Sequence, residues 1–190
     1  MNTTDGTRTP ATRSTRGAWR RTFVPILGYI ILTTFAVSTN QVEQHSMSPT
    51  FAQGDRIIVD RLSTLLHRPY AVGDVIVFPA PAGAPAREGE MYVKRVLGLP
   101  GDRIEILNGA IYRNGVRVAE PFLPGGTRTE PLTGVRSWSI GKEELFVLGD
   151  NRAGSLDSRV FGPITTKTVV GRAIWRYWPI SAFGPIPGGN

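Results

Sequence analysis

Met91-Tyr92-Val93-Lys94-Arg95-Val96-Leu97, closed by Gly98-Leu99-Pro100-Gly101-Asp102, is the most informative stretch of this chain. Its β-branched and aromatic residues, ended by Gly and Pro, predict a strand followed by a turn. Alternation on that strand places Tyr92, Lys94 and Val96 on one face. A lysine between such neighbours is either an edge residue in water or an amine stripped of it. Only the second has chemical consequences.

Working outward, Asp55–Asp60 and Gly73–Phe78 read as strands, the latter largely buried. Between Ile104 and Val118, Asn108-Gly109 and Asn114-Gly115 each mark a hairpin turn between apolar, β-prone segments. Glu144–Leu148 is a further strand running into the turn Gly149-Asp150-Asn151-Arg152. Val169–Trp178 closes the series with Trp175, Tyr177 and Trp178, aromatics suited to a core, a sheet surface or a membrane interface. Pro79–Gly89 and residues 119–141 read as loops. With 22 Gly and 15 Pro in 190 residues and no tandem repeat, the pattern predicts one mostly β, antiparallel domain over 43–190.

Upstream, Phe23–Thr39 is an uncharged apolar run. At about 1.5 Å per residue it is near the shortest length that spans a bilayer, and Asn40–Val42 would extend it. A single transmembrane anchor is therefore expected over 22–42. Arg20 and Arg21 precede it, so the Thr/Arg-rich tail 1–21 is expected to be disordered and cytoplasmic, and the following domain extracytoplasmic. Ala36-Val37-Ser38 also resembles a signal-segment cleavage site, the competing reading, but the run exceeds a usual signal core. The net charge of +7 does not point to nucleic acid. Arg8, Arg13, Arg16, Arg20 and Arg21 against Asp5 give the tail +4, which leaves only +3 spread over the remainder.

The absence of cysteine excludes disulfides, thiolate catalysis and cysteine-ligated metal. A hydroxyl nucleophile is offered by Gln44-His45-Ser46-Met47-Ser48-Pro49-Thr50, just beyond the apolar run, on a segment expected to be extended because a residue before proline avoids helix. Serine needs a base. His45, adjacent to Ser46, would point away on an extended chain, and His67 reads as a surface or packing residue. Lys94 is the stronger possibility, one of only three lysines among 22 basic residues. At a pKa of about 10.4 an amine is neutral in roughly one molecule in a few thousand at pH 7, so it needs a downward shift of about 3, which burial can supply. Arginine could not serve, being always protonated.

Three stretches together resemble the boxes of bacterial type I signal peptidases: Ser46-Met47-Ser48-Pro49-Thr50, Tyr92 through Asp102, and Gly149-Asp150-Asn151-Arg152-Ala153-Gly154-Ser155-Leu156-Asp157-Ser158-Arg159. Gly73–Phe78 is similar to a further box. The resemblance implies a membrane-tethered β domain with a small extended β-ribbon, here over about 103–141. It implies a serine endopeptidase that frees exported preproteins from their signal peptides, acting at the membrane lipid without metal or cofactor. Ser46 would be the nucleophile and Lys94 the general base, with Ser155 orienting the amine by a hydrogen bond. Asp157 and Arg159 would form a structural ion pair, Arg95 and Asp150 would shape the site, and Met47, Tyr92 and Val93 would line the substrate groove. Gln44 stands where many relatives carry a serine that helps hold the oxyanion, and Ala153-Gly154 replaces an acidic residue and asparagine. These departures motivate the alternative of a non-catalytic relative that binds peptides or assists surface-protein assembly.

Overall fold

The computed structural model describes residues 23–29, 36–43, 45–85, 87 and 89–188. The chain divides into two units, Met1–Phe35 and Ala36–Asn190. In the first, residues 23–29 are helical. Among the described residues no helix is long and apolar enough to cross a membrane, and 30–35, the middle of the expected anchor, lie outside them.

The anchor boundary expected at residue 42 is corrected by the second unit. Val37–Gln41 form strand β1, antiparallel to β2 (Arg56–Asp60), with Val37 opposite Asp60 and Gln41 opposite Arg56. The reason is polarity. Ser38, Thr39, Asn40 and Gln41 fit a bilayer poorly but suit an edge strand whose alternate side chains meet water.

The remaining strands are β3 (Val75–Pro79), β4 (Met91–Gly98), β5 (Arg103–Leu107), β6 (Ala110–Arg113), β7 (Val116–Arg117), β8 (Ser137–Ser139), β9 (Glu144–Leu148), β10 (Ile164–Thr165), β11 (Gly171–Trp178) and β12 (Gly184–Pro185). The larger sheet runs β1-β2-β11-β3-β4-β9-β10, with β12 on β11, and every pairing is antiparallel. The second sheet, β7-β6-β5-β8, occupies the expected ribbon region. Its two tight turns carry Asn108 and Gly109 at φ 52° and 80°, and Asn114 and Gly115 at φ 53° and 81°. Two successive positive φ angles match the twist of the flanking strands, which is why Asn-Gly marks such hairpins.

The sheet is buried on both faces. In β3, Val75 and Val77 join one cluster with Met47, Phe51, Ile57 and Val59, while Ile76 and Phe78 join another with Tyr92, Val96, Leu145 and Val147. From β9, Phe146 and Leu148 turn to a third cluster with Leu97, Ile104, Ile106 and Ile111, which ties the second sheet to the first. Gly98 permits this contact, since a Cβ there would lie 2.7 Å from Ile104. The consequence for function is an open edge. β9 pairs with β4 only from Arg95, opposite Leu148, to Gly98, opposite Phe146, and the chain then leaves at Gly149. Met91–Lys94 keep β3 on one side and have no strand on the other among the described residues.

Candidate active site

The segment carrying Ser46 is not extended, as expected, but a short 3-10 turn, His45–Met47, in which the Ser48 N–H donates to the His45 carbonyl at 3.2 Å. The turn's shape comes from elsewhere in the chain. The Asn151 N–H donates to the Ser46 carbonyl at 3.0 Å, and the Asn151 side-chain amide donates to the His45 carbonyl at 3.2 Å. Packing of Met47 and Phe51 into the core then turns Ser46 inward while His45 stays exposed.

The inward Ser46 hydroxyl meets Lys94. Nζ lies 2.7 Å from Oγ, with Lys94 fully buried and Ser46 only 7 % exposed. On β4 the amine shares a face with Tyr92, whose ring centroid is 4.9 Å away, and sits across from Ile76 on β3. Loss of water drives the amine's pKa from 10.5 down to about 8, against the opposing pull of the Asp157, Glu90 and Asp150 carboxylates.

Two of those carboxylates are neutralised by buried arginines. Arg95 grips Asp150 through two bonds of 2.8 and 2.7 Å, both side chains fully buried, and the Thr50 hydroxyl donates to the same carboxylate at 2.5 Å. Arg95 also donates to the Gly73 carbonyl at 2.8 Å and lies over the Phe122 ring. Arg159 grips Asp157 through two bonds of 2.8 Å, while the Gly149 N–H donates to Asp157 at 3.0 Å. Asp157 further caps the short helix Ser158–Phe161 by accepting from the Arg159 N–H. Such bidentate forks are the geometry in which buried charges become tolerable.

Ser155 and Tyr92 differ from expectation. The Ser155 hydroxyl is buried and finds no hydrogen-bond partner among the described residues, so the expected bond to Lys94 is not made. It packs instead against Gly149, where a Cβ would come 2.1 Å from its oxygen and 2.4 Å from the Ser46 carbonyl. Tyr92 is 3 % exposed and lies under the amine, sharing its face by strand alternation, rather than in the groove. Gln44 lies outside the described residues.

The groove has a volume of about 280 Å³ and opens at Ser46. Met47, Met91 and Val93 line it, with Thr39–Glu43 as one bank and Gly89 and Glu90 as the other. Met47 and Val93, expected to line a substrate groove, border this cavity, and Met91 joins them because it shares Val93's face. Sequence reasoning missed Asn151 and Arg152. Arg152, 3 % exposed, pairs with Glu120, bonds the Thr129 hydroxyl and donates to the Gly149 carbonyl at 3.0 Å. Both residues sit inside the third sequence box, the signal that could have drawn attention to them. Among the described residues no cluster of His, Asp or Glu is arranged to hold a metal ion.

A hydroxyl held 2.7 Å from a buried amine, beside a groove at an open strand edge, is an arrangement able to serve as a nucleophile and its base. Comparison with known proteins gives the family. Residues 16–178 match the family described as "Signal peptidase, peptidase S26". Signal peptidase I of Bacillus caldolyticus is 38% identical over 188 residues, covering 90% of this chain and 94% of its own. Signal peptidase IB of Staphylococcus aureus is 34% identical over 167 residues, covering 80% and 84%. A solved signal peptidase I from Enterococcus faecalis V583 is 30% identical and gives a TM-score of 0.46, over 55% of this chain and 97% of its own. By profile and by identity along most of its length, this chain belongs to the signal peptidase family, peptidase S26.

Proposed function

We propose that this protein is a membrane-bound serine endopeptidase that removes N-terminal signal peptides from exported preproteins, with Ser46 as nucleophile and Lys94 as general base. The observation that carries this reading is the 2.7 Å contact between the Ser46 hydroxyl and a fully buried amine. Neutral Lys94 takes the hydroxyl proton as Oγ bonds to the scissile carbonyl carbon, whose π electrons move to oxygen. The Ser46 backbone N–H stabilises that oxyanion, a donor of this kind being worth about 3 kcal/mol. Collapse expels the amine of the mature protein, protonated by Lys94, and leaves an acyl-serine. Lys94 then draws a proton from water, whose oxygen attacks the ester, and the returning proton restores Ser46.

The unpaired edge Met91–Lys94 supports binding of the segment before the cut as an added strand. Alternate side chains then point at the floor made by Met47, Met91 and Val93, which suits small residues at the first and third positions before the bond. Membrane attachment rests on the apolar run that precedes β1 and on Arg20 and Arg21 before it, which orient the tail inward and the catalytic unit outward. Contact with lipid is further supported by Trp178, Ile180 and Phe183, exposed by 50, 74 and 60 % along the end of β11 and the turn after it. Incubation of the full chain with a preprotein in neutral detergent tests the proposal. Cleavage is expected, with its loss in both S46A and K94A while preprotein binding persists. Undiminished cleavage by either variant would overturn the assignment.

A further inference from the structure

A second cleft, of about 770 Å³, shares no residue with the substrate groove. Its volume is in the range of ligand cavities. The walls come from three places: the short helix Leu62–Leu65 with the residues after it, the turn at Leu99 and Pro100, and residues 166–170. Leu65, Leu99, Val169 and Val170 make them apolar. Leu65 is 61 % exposed and its neighbour Leu66 58 %. The cleft is also basic. Arg61, His67 and Arg68 line it, and no aspartate or glutamate does. Neither the Arg61 nor the Arg68 guanidinium has a partner among the described residues. Nearby carboxylates are already engaged: Asp60 accepts from the Ser63 N–H and hydroxyl, Asp74 pairs with Arg172 at 3.1 Å, and Glu143 pairs with Lys167 at 2.7 Å. Thr64 lines the same cleft, and its buried hydroxyl oxygen finds no hydrogen-bond partner among the described residues. A buried hydroxyl left unpaired costs free energy that a ligand oxygen would recover.

The cleft has a fixed place along the chain. The Arg61 N–H donates to the Ala36 carbonyl at 2.9 Å, and Ala36 is the residue by which the apolar run enters this unit. Trp178 belongs to the other end of β2: it lies opposite Arg56, whereas Arg172 lies opposite Asp60. The cleft is therefore separate from the lipid contact read for Trp178, Ile180 and Phe183. We propose that it binds one anionic phospholipid. An acyl chain lies along Leu65, Leu99, Val169 and Val170, Arg61 and Arg68 hold the phosphate, and the Thr64 hydroxyl donates to a phosphate or ester oxygen. Free phosphate would satisfy the cations and leave the apolar walls in water, and a neutral chain would do the reverse. A lipid does both, at the point where the run reaches this unit. The site rests on the membrane attachment argued above. Each arginine near a lipid surface adds roughly fivefold in affinity, so the pair supplies up to about 25-fold over a lipid of no net charge.

The test is native mass spectrometry of the full chain released from neutral detergent doped with phosphatidylglycerol or phosphatidylcholine. One phosphatidylglycerol per chain is expected to persist, bound at least about tenfold more tightly than phosphatidylcholine. R61Q/R68Q is expected to lose that preference, and V170W, which fills the cleft, to lose retention of both lipids. Cooperative thermal unfolding establishes that each variant is folded. R103Q/R128Q, which removes two exposed arginines of the second sheet and its loop, is expected to keep the preference. Equal retention of the two lipids by wild type, or a preference that survives in folded R61Q/R68Q, would overturn the site. Displacement of the lipid by equimolar glycerol phosphate or by an acidic peptide would overturn the lipid as its occupant. Flotation with phosphatidylcholine vesicles separates this failure from that of the reading beneath it. A chain that floats but retains no phosphatidylglycerol overturns the site alone. A chain that floats with no vesicle overturns membrane attachment, and the site with it.

Discussion

The sharpest prediction concerns the acid limb of the pH–rate profile. The perturbation is pH itself, and the group it titrates is Lys94. Burial lowers the amine from 10.5 to about 8. At pH 7 the neutral base is then present in about one molecule in ten, against about one in three thousand for an unperturbed lysine. Burial thus multiplies the active fraction at neutral pH by about 300, a gain of about 3 kcal/mol. The value reflects a contest in which loss of hydration prevails over Asp157, Glu90 and Asp150, two of which are already engaged by Arg159 and Arg95. The sign follows directly. Protonation removes the base, so kcat/KM must rise with pH, about tenfold per pH unit below the midpoint, and level off above about 8. Because kcat/KM reports the free enzyme, this midpoint belongs to Lys94 before substrate binds. The assay is kcat/KM between pH 5.5 and 10 for the full chain in neutral detergent, with a substrate that does not titrate in that range. A flat profile from 6 to 9, or a midpoint above 9.5, would refute the reasoning.

Four further outcomes follow from the same geometry. Gly149→Ala is expected to lower kcat/KM at least tenfold, because the added methyl would need the space of the Ser155 hydroxyl and the Ser46 carbonyl; full activity in a correctly folded variant would contradict that close approach. Arg159→Met should destabilise the fold by about 3–5 kcal/mol in denaturant titration, since it strands the buried Asp157 charge, and should move the acid limb to higher pH. Lys94→Met is expected to be inactive yet more stable at pH 7 by about 2 kcal/mol, the cost of burying the amine less one lost hydrogen bond. The unfolded chain holds a proton that the folded amine sheds between about pH 8 and 10.5, so wild-type stability should climb across that window while that of the methionine variant should not. Asp102→Asn should loosen the second sheet, measurable as faster amide exchange in β5. Burial favours the neutral acid, but bonds from Arg113, the Leu99 N–H and Asn114 outweigh it and keep the carboxylate charged.

Local patterns made the strands legible. The Asn-Gly pairs predicted both hairpin turns because Asn and Gly readily adopt the required positive φ, and the doubly buried β3 was visible as an unbroken apolar run. β1 was hidden because Val37–Gln41 were read as the end of the apolar run and its extension; their polarity spoke against that, but their strand partner β2 is remote in sequence. The proximity of Ser46 to Lys94 was suggested by residue type, which left a surface lysine as the alternative, and by the resemblance of three stretches to the boxes of signal peptidases. The turn holding Ser46 was not legible, because its hydrogen bonds come from Asn151. Tyr92 was misplaced although alternation already put it on Lys94's face, and applying that rule to Met91 and Val93 would have identified the groove wall.

The curl at residues 45–47 owes its form to a loop near the other end of the chain, and the grip of Asp150 on Arg95 fastens that loop to the middle. A growing polypeptide that ends before residue 150 therefore lacks the hydrogen bonds that shape the turn around Ser46. On the peptidase reading proposed above, the nucleophile would take its place only once that loop has been made.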